Sequence, residues 1–309
     1  MPRRFRFGTG VFATPSARAF ADSAKRIESL GYDVFVVPDH FHSEGLAPVP
    51  ALLAAANATR DLRVGTTVFD NDFRHPALLA KEAATLDLLS AGRLEFGIGA
   101  GWKKREYDQV GIAWDEAGVR VSRLEEAIQL IKRLWSGAPV TFHGQHYHVT
   151  DLVNYPLPMQ KPHPPVFIGG GGRRLLSIAA READVVGIIA KARPGGGLDV
   201  AADSEDLLRQ KVEWVREAAR DRMAAIELQS LIWSAAVTDH RESEADKVAR
   251  AHGLPIAHVL GSPYFLIGSV DAIVEQLLEQ RSTYGLSYFV VYPEDFEAFA
   301  PVVAKLRGS

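Results

Sequence analysis

The chain has 309 residues, a formal net charge of −3, 47% hydrophobic residues and no cysteine. This length fits one large α/β barrel or two ordinary domains, and the charge argues against an electrostatically driven nucleic-acid or membrane partner. The lack of cysteine excludes disulfides, thiolate catalysis and cysteine-based metal sites. No apolar run approaches the ~20 residues that span a bilayer, and the N-terminus MPRRFRFG has no signal-peptide apolar region, so we expect a cytoplasmic protein.

Strand and helix patterns alternate from the start of the chain. Residues 4–12 are predicted to form the first strand, and residues 17–30 form an amphipathic helix. The second strand, 34–37, runs into the motif PDHFH at 38–42, and a short helix over 49–58 follows. This order predicts α/β units from the first residues onward.

The stretch from Leu62 to Trp102 gives the clearest strand-helix-strand pattern. An apolar strand over 62–69 is followed by a helix that begins at Pro76, and a second strand over 94–98 ends in GIGAG. Short links between these elements predict a right-handed parallel crossover. Its small residues fall at the carboxyl ends of strands, where α/β proteins bind ligands, so this region is the candidate site.

The alternation continues to the end of the chain. The predicted elements are a loop after Trp102, a helix over 121–135, a hairpin over 140–149, a proline-rich surface connection over 151–165, strands over 166–168, 185–189, 228–237 and 288–291, a mobile loop over 191–199, and helices from Arg173 and over 204–220, 243–252, 271–284 and 294–306. Eight strands alternating with helices predict a (β/α)8 barrel, an α/β fold, in one domain over 1–309. A doubly wound sheet is the rival architecture.

Four consecutive glycines, Gly169–Gly172, follow the predicted fifth strand and precede a helix that begins at Arg173. Residues without side chains let main-chain N–H groups approach a ligand, and the helix N-terminus adds partial positive charge. This pattern predicts a phosphate site. The alternative is a tight turn in which glycine serves conformation alone.

The GIGAG sequence at 97–101 resembles a dinucleotide fingerprint only superficially. Trp102 follows where that motif needs further small residues, and the sequence lies at the fourth strand. A flat ligand lying across the strand ends explains the small residues better.

Asp39 and His40 follow the second strand and therefore face the candidate site. Histidine suits proton transfer near neutral pH, and Asp39 could orient it or accept a hydrogen bond from a ligand ring. A solvated loop is the alternative, and His42 lies close by. His146 and His148 are expected on one hairpin face with His143 nearby, but no carboxylate stands beside them, so no metal site is predicted.

Taken together, the motifs resemble those of the luciferase-like monooxygenase superfamily. They follow the family's order along nearly the whole chain: PDHFH, GTTV, LSAGRLEFGIGAGW, RLEEAIQLIKRLW, PVTFHGQHY, PLPMQKPHPPVFIGGGG and LIGSVDAIVEQLLEQ. The resemblance implies a luciferase-like (β/α)8 barrel with an insertion near the seventh strand, typically assembled as a homodimer. It also implies a cofactor ring across the strand ends, backed by a non-prolyl cis peptide that falls by position at Thr67-Val68.

Within this family the sequence looks closer to the deazaflavin (coenzyme F420) branch than to true luciferases. The resemblance then implies His40 as the catalytic residue. The implied cofactor-binding residues are Asp39, His40, Thr67, Val68, Gly99, Ala100, Gly101, Trp102, Gly169, Gly170, Gly171 and Gly172.

One departure bears on the reaction. Sugar-phosphate dehydrogenases of this group carry Glu where Trp102 stands, so the acid that assists hydride removal is expected to be absent. The resemblance therefore favours a reductase that delivers hydride to a C=C or C=N bond of a small organic substrate, with His40 or water supplying a proton. The alternatives are a monooxygenase that uses reduced FMN and O2, and a non-catalytic flavin-binding barrel.

Overall fold

Parallel strands close into a barrel at the centre of the molecule, seen in a computed structural model that describes residues 3–41 and 45–309. The strands are β1 (Arg6–Thr9), β2 (Val34–Val37), β3 (Arg63–Thr66), β4 (Phe69–Asp70), β5 (Leu94–Gly99), β6 (Val140–His143), β7 (His148–Leu152), β8 (Val166–Gly170), β9 (Val185–Ile188), β10 (Glu227–Leu231), β11 (Ser234–Val237), β12 (Phe265–Gly268) and β13 (Leu286–Val290). Parallel pairing runs through β1, β2, β3, β5, β8, β9, β10 and β13 and returns to β1. The predicted (β/α)8 barrel is confirmed.

Helices surround the barrel wall and bury their apolar faces against it. They are α1 (Ala17–Ser29), α2 (Pro48–Ala58), α3 (Pro76–Leu89), α4 (Lys104–Val110), α5 (Ala117–Leu134), α6 (Arg173–Glu182), α7 (Glu205–Ala219), α8 (Arg241–His252), α9 (Ile256–Gly261), α10 (Val270–Tyr284) and α11 (Phe296–Leu306). In α1 the Ser16 side chain accepts a hydrogen bond from the Ala19 amide, and Phe20, Ala24 and Ile27 are buried at helical spacing. Every residue of β2 is buried, as expected for a parallel strand covered on both faces.

The predicted strand over 228–237 is wrong in its second half. The chain leaves the barrel after β10, and β11 pairs in parallel with β12 in a separate two-stranded sheet. The apolar pattern of 228–237 is continuous, so it cannot show that the pairing partner changes within it. Neither β12 nor α9 was predicted. The family's implied insertion near the seventh strand corresponds to this segment.

The predicted loop after Trp102 contains a helix, α4. Its seven residues carry few apolar side chains, and Gly111 ends it at φ 73°. The predicted strand over 62–69 is divided into β3 and β4, and the Thr67-Val68 peptide bond between them is cis.

The predicted hairpin is confirmed, with β6 and β7 antiparallel and extending to Leu152. His143 and His148 are the cross-strand pair, whereas His146 lies in the turn, so the expectation that His146 and His148 share a strand face was wrong. Over the described ranges 3–41 and 45–309, no group of three or more acidic or histidine side chains could hold a metal ion. None of the helices described there is long and apolar enough to cross a bilayer. His42 of the PDHFH motif lies outside the described residues.

Candidate active site

A cavity of about 640 Å³ opens at the carboxyl ends of the barrel strands. Every residue predicted from the sequence to bind a ligand lines it: Asp39, His40, Thr67, Val68, Gly99, Ala100, Gly101, Trp102, Gly169, Gly170, Gly171 and Gly172. These residues come from four different strand ends, which the closed barrel brings to one rim. The position matches the face where barrels of this type carry their sites.

The glycine turn forms one wall of this cavity. A Cβ at Gly171 would lie 2.5 Å from the carbonyl oxygen of Ile189, so no larger residue fits there without a shift. Gly172 differs, because a Cβ at that position would have no heavy atom within 4 Å. Gly172 is also the N-cap of α6 and provides no side-chain cap to the helix. The turn therefore presents main chain at a helix start and leaves open space in front of Gly172.

The adjoining wall is formed by Val68 and the end of β5. A Cβ at Gly99 would come within 2.6 Å of the Val68 side chain, so the small residue is needed for the two to pack. At Gly101, whose φ is +72°, a side chain would collide with the Tyr107 hydroxyl. Gly99 and Gly101 thus serve packing and backbone conformation at the cavity wall.

His40 is paired with a carboxylate that the sequence interpretation missed. Its Nδ1 lies 2.8 Å from Oε2 of Glu106, on α4, and the Glu106 side chain is 3% exposed. Lys103 Nζ lies 2.9 Å from the other oxygen of Glu106. Burial alone would raise the pKa of Glu106, but hydrogen bonds from Lys103 and His40 outweigh it and lower the pKa. An ionised Glu106 favours a proton on Nδ1 and stabilises the imidazolium form of His40.

Asp39 does not orient His40. Its carboxylate accepts hydrogen bonds from the guanidinium of Arg74 and from the Asp70 amide, the latter at 3.2 Å. The expectation that Asp39 could orient the histidine was therefore wrong, because Arg74, which received no role from the sequence, occupies its oxygens. Asp39 still lines the cavity beside His40.

Asp70 is a second acidic group at the cavity that the sequence did not single out. The Tyr107 hydroxyl donates a hydrogen bond of 2.7 Å to its Oδ1. Burial raises the pKa of Asp70 to about 7, with Asp72 and Asp39 adding to the rise and the hydrogen bonds opposing it. A carboxyl that titrates near neutrality thus borders the cavity.

Trp102 lines the cavity, and its ring meets the His40 ring edge-on with centroids 5.5 Å apart. The rest of the cavity lining is mainly aromatic and aliphatic, and on the side of β10 and β13 it includes Phe12, Leu231, Trp233 and Tyr292. Gln229 also lines the cavity while 1% exposed, and its Oε1 has no hydrogen-bond partner among the described residues. A buried acceptor without a partner is the kind of group that a bound ligand satisfies.

Most cationic side chains at the cavity have partners within the protein. Lys103 contacts Glu106, while the guanidinium of Arg120 donates to the carbonyl oxygens of Ala100 and Asp115. At the glycine turn Arg173 pairs with Glu217, 3.1 Å away. The donors of the cationic side chains at the His40 end of the cavity are therefore largely engaged within the protein.

Comparisons with known proteins agree with this architecture. A profile of the luciferase-like monooxygenase family matches residues 4–258. The F420-dependent glucose-6-phosphate dehydrogenase of Amycolatopsis mediterranei strain U-32 is 32% identical over 300 residues, which cover 89% of this chain and 88% of that enzyme. The FMNH2-dependent dimethylsulfone monooxygenase of Pseudomonas putida is 37% identical over 134 residues, which cover 43% of this chain and 36% of that enzyme.

Among solved structures, the coenzyme F420-dependent tetrahydromethanopterin reductase of Methanopyrus kandleri superposes with a TM-score of 0.79. The match covers 99% of both chains at 19% sequence identity. At that identity the likeness shows a shared fold.

Proposed function

Because the chain belongs to the luciferase-like monooxygenase family and is an oxidoreductase, we propose that it is a coenzyme F420-dependent reductase. It transfers hydride between the deazaflavin and a C=C or C=N bond of a small organic substrate. One observation carries the proposal: the open glycine turn at Gly172 borders the same cavity as His40, whose Nδ1 contacts Glu106 behind the cavity wall. On this proposal, the glycine turn is an anion site and His40 a proton-transfer group, and one elongated cofactor in the cavity could reach both.

The residues at the cavity fit such a cofactor. The main chain of Gly169–Gly172, at the N-terminus of α6, would hold its phosphate group. Val68, Gly99, Ala100 and Gly101 would lie against the ring, and Asp39, Thr67 and Trp102 would border it. When bound, the deazaflavin supplies or accepts the hydride, and the chain supplies orientation and the proton.

His40 is the residue we assign to proton transfer. Glu106 holds Nδ1 at 2.8 Å and so fixes the orientation of the imidazole ring at the cavity. Glu106 is not among the cavity-lining residues, so it acts through His40 and not on the substrate itself. The Glu that sugar-phosphate dehydrogenases carry at the position of Trp102 is absent from this chain. The acid near this position is Glu106, four residues later, and it contacts His40.

The lining of the cavity supports a reductase over a sugar-phosphate dehydrogenase. At the His40 end of the cavity Lys103 and Arg120 are already engaged with protein groups, which leaves few donors on that side for a doubly charged phosphate of a substrate. The remaining walls on that side include Phe12, Trp233 and Tyr292. An unsaturated organic substrate of low charge matches these walls better than a sugar phosphate does.

The cofactor assignment is tested by fluorescence titration of the purified protein with coenzyme F420 and, separately, with FMN. We expect micromolar or tighter binding of coenzyme F420, and consumption of its reduced form when an α,β-unsaturated ketone or an imine is added. Micromolar FMN binding with no binding of coenzyme F420 would overturn the assignment. Oxidation of glucose 6-phosphate at a rate comparable to alkene reduction would overturn the substrate class.

A second candidate function is an FMN-dependent monooxygenase. The resemblance to the Pseudomonas putida enzyme favours it, since that alignment has the higher local identity of the two relatives. Oxygen consumption with reduced FMN, together with a hydroxylated product, would identify this activity. Cofactor binding that survives His40→Ala, together with no turnover on any substrate by the unmodified protein, would instead indicate a flavin-binding barrel without catalysis.

We also propose that two copies of the chain associate. Leu88 and Leu89 at the end of α3 are 48% and 55% exposed, and Met159, 55% exposed, lies beside Gly92 just beyond them. Clustered exposed apolar side chains commonly mark association surfaces. Light scattering should give the mass of two chains, and Leu89→Glu should reduce it to one. A monomer for the unmodified protein would refute this assembly.

A further inference from the structure

Lys211 is a fully buried lysine close to, but outside, the cavity wall. It lies in the middle of α7 and is 0% exposed. Its Nζ donates to Oδ1 of Asp203 at 2.6 Å and to the carbonyl oxygen of Ile189 at 2.8 Å. Asp203 is 1% exposed, so both charges of this pair are enclosed by protein. Burying a charge costs free energy unless it is paired, and Asp203 provides the paired charge for Lys211.

The carbonyl group that Lys211 holds belongs to the peptide that shapes the glycine turn. The Ile189 amide donates to the carbonyl oxygen of Gly170 at 3.1 Å. The Ile189 carbonyl oxygen, in turn, occupies the space into which a side chain at Gly171 would project, at 2.5 Å from its Cβ position. Ile189 thus contacts the turn through its amide and the Lys211 ammonium through its carbonyl oxygen.

Asp203 extends the connection to the other end of a cavity loop. Residues 190–203 run from the end of β9 past the cavity, and Leu198 and Lys191 of this loop line it. The Gly197 amide donates to the carbonyl oxygen of Trp102 at 3.0 Å, which fixes the loop across the cavity mouth. Lys211 therefore links Ile189, the residue that precedes this loop, to Asp203, its last residue.

From these contacts we infer that Lys211 is a positioning residue for the anion-binding glycine turn. Its buried ammonium, neutralised by Asp203, holds the Ile189 carbonyl against Gly171 and so fixes the main chain that receives the cofactor phosphate. This inference rests on the proposed function, because it assumes that Gly169–Gly172 bind that phosphate. It assigns Lys211 no contact with the cofactor.

The test compares ligands with and without a phosphate in the Lys211→Met variant. Dissociation constants are measured by fluorescence for coenzyme F420 and for its phosphate-free deazaflavin ribityl fragment. We expect the affinity for coenzyme F420 to fall by about 10- to 100-fold, because the turn is no longer held in shape. Affinity for the phosphate-free fragment should change less than about threefold.

Lys132 provides a matched control. It also lies on a helix, α5, and its Nζ contacts a carbonyl oxygen and a carboxylate of one partner, Glu182, with 2.9 Å to Oε2. Glu182 lies at the far end of α6 from the glycine turn. Lys132→Met should therefore leave both dissociation constants unchanged.

The possible outcomes separate this inference from the function on which it rests. Equal losses for the two ligands in Lys211→Met, or no loss for either, would overturn the positioning role while the proposed function stands. Failure of the unmodified protein to bind coenzyme F420 would overturn both. If Lys211→Met does not fold, Lys211→Met/Asp203→Asn removes both charges and is measured in its place, with the same outcomes deciding.

Discussion

The two ends of the barrel differ in how fully their buried polar groups are paired within the protein. At the amino end, Arg6 forms ion pairs with Glu95 and Glu227, and Arg63 donates to Glu95 at 2.7 Å. These charges are paired with one another inside the barrel, where Glu95 is 4% exposed. At the carboxyl end, by contrast, the wall is made of glycine and aromatic residues, and Gln229 keeps a buried oxygen without a partner among the described residues.

This difference separates stability from function within one fold. Groups at the amino end are satisfied by the protein, so changing them should alter the free energy of unfolding and spare the cavity. At the carboxyl end, Gln229 Oε1 and the open space in front of Gly172 are not filled or satisfied by the described protein groups. Changing the groups at this end should alter binding or turnover with a smaller effect on stability.

The largest effect is expected at His40. We expect His40→Ala to lower turnover by about 10²- to 10⁴-fold, because the general acid is lost. The cofactor dissociation constant should stay within a few-fold of its original value, because the variant loses no contact to the cofactor phosphate. Steady-state kinetics and fluorescence titration measure the two quantities. Unchanged turnover would remove His40 from the mechanism.

Glu106→Gln sharpens this result. The amide keeps the size of the side chain but removes the charge that stabilises the imidazolium. Turnover should fall less than in His40→Ala, and the alkaline limb of its pH profile, where a general acid loses its proton, should shift toward lower pH because the neighbouring negative charge is gone. A pH profile identical to that of the unmodified protein would show that Glu106 has only a packing role.

At the amino end, Glu95→Ala should reduce the free energy of unfolding by about 3–5 kcal/mol, because it leaves Arg6 and Arg63 without their shared buried carboxylate. Urea denaturation measures this loss, and the folded fraction should bind cofactor as before. In the control Glu297→Ala, which breaks an exposed pair with Arg26, we expect a much smaller change. Loss of cofactor affinity in Glu95→Ala would contradict the division between the two ends.

Gly172→Asp tests the anion site with little disturbance of the fold. A Cβ at Gly172 meets no atom within 4 Å, and aspartate is a favourable N-cap, so stability should hold or rise slightly. The added carboxylate should nevertheless weaken coenzyme F420 binding by about 10²-fold through repulsion of its phosphate. Gly172→Asn, equal in size but neutral, is the control, and equal affinities in the two variants would place the phosphate elsewhere. Gly170 is a poorer position, since a Cβ there would press on Leu175.

A smaller effect is expected from Asp70. Its pKa is about 7 in the folded protein and 3.8 as an ordinary group, so the folded state holds the extra proton between these values. The free energy of unfolding should therefore fall as the pH rises from about 4 to 7. In Asp70→Asn, the fall in the free energy of unfolding between pH 5 and pH 8, measured by urea denaturation, should be smaller by roughly 1–3 kcal/mol. A decline of equal size in the variant would assign it to other groups.

The sequence predicted the barrel and its site where the relevant pattern is local. Periodic apolar residues in 17–30 and 34–37 specify a helix and a strand directly, and strand ends in a closed parallel barrel must meet at one rim. For that reason Gly172 and His40, which are far apart in the chain, could be placed on one cavity. The family resemblance added the position of the cis peptide at Thr67-Val68, which the structure contains.

The errors came from contacts that no local pattern encodes. Glu106 lies on a seven-residue helix with little apolar periodicity, and its partner His40 is 66 residues away. Likewise the carboxylate of Asp39 could have faced either His40 or Arg74, and residue type alone does not choose between them. Side-chain pairing across the barrel rim depends on three-dimensional placement, which single-sequence patterns leave open.

The departure of β11 from the barrel wall has a consequence for how the mouth of the cavity can diversify. Residues 234–268 build a small core of their own, from Ala245, Val248, Ala249, Val259, Phe265 and Ile267. Trp233 packs against this core and also lines the cavity. Substitutions among these six residues can therefore reshape the rim of the cavity through Trp233 without changing a side chain of the eight barrel strands.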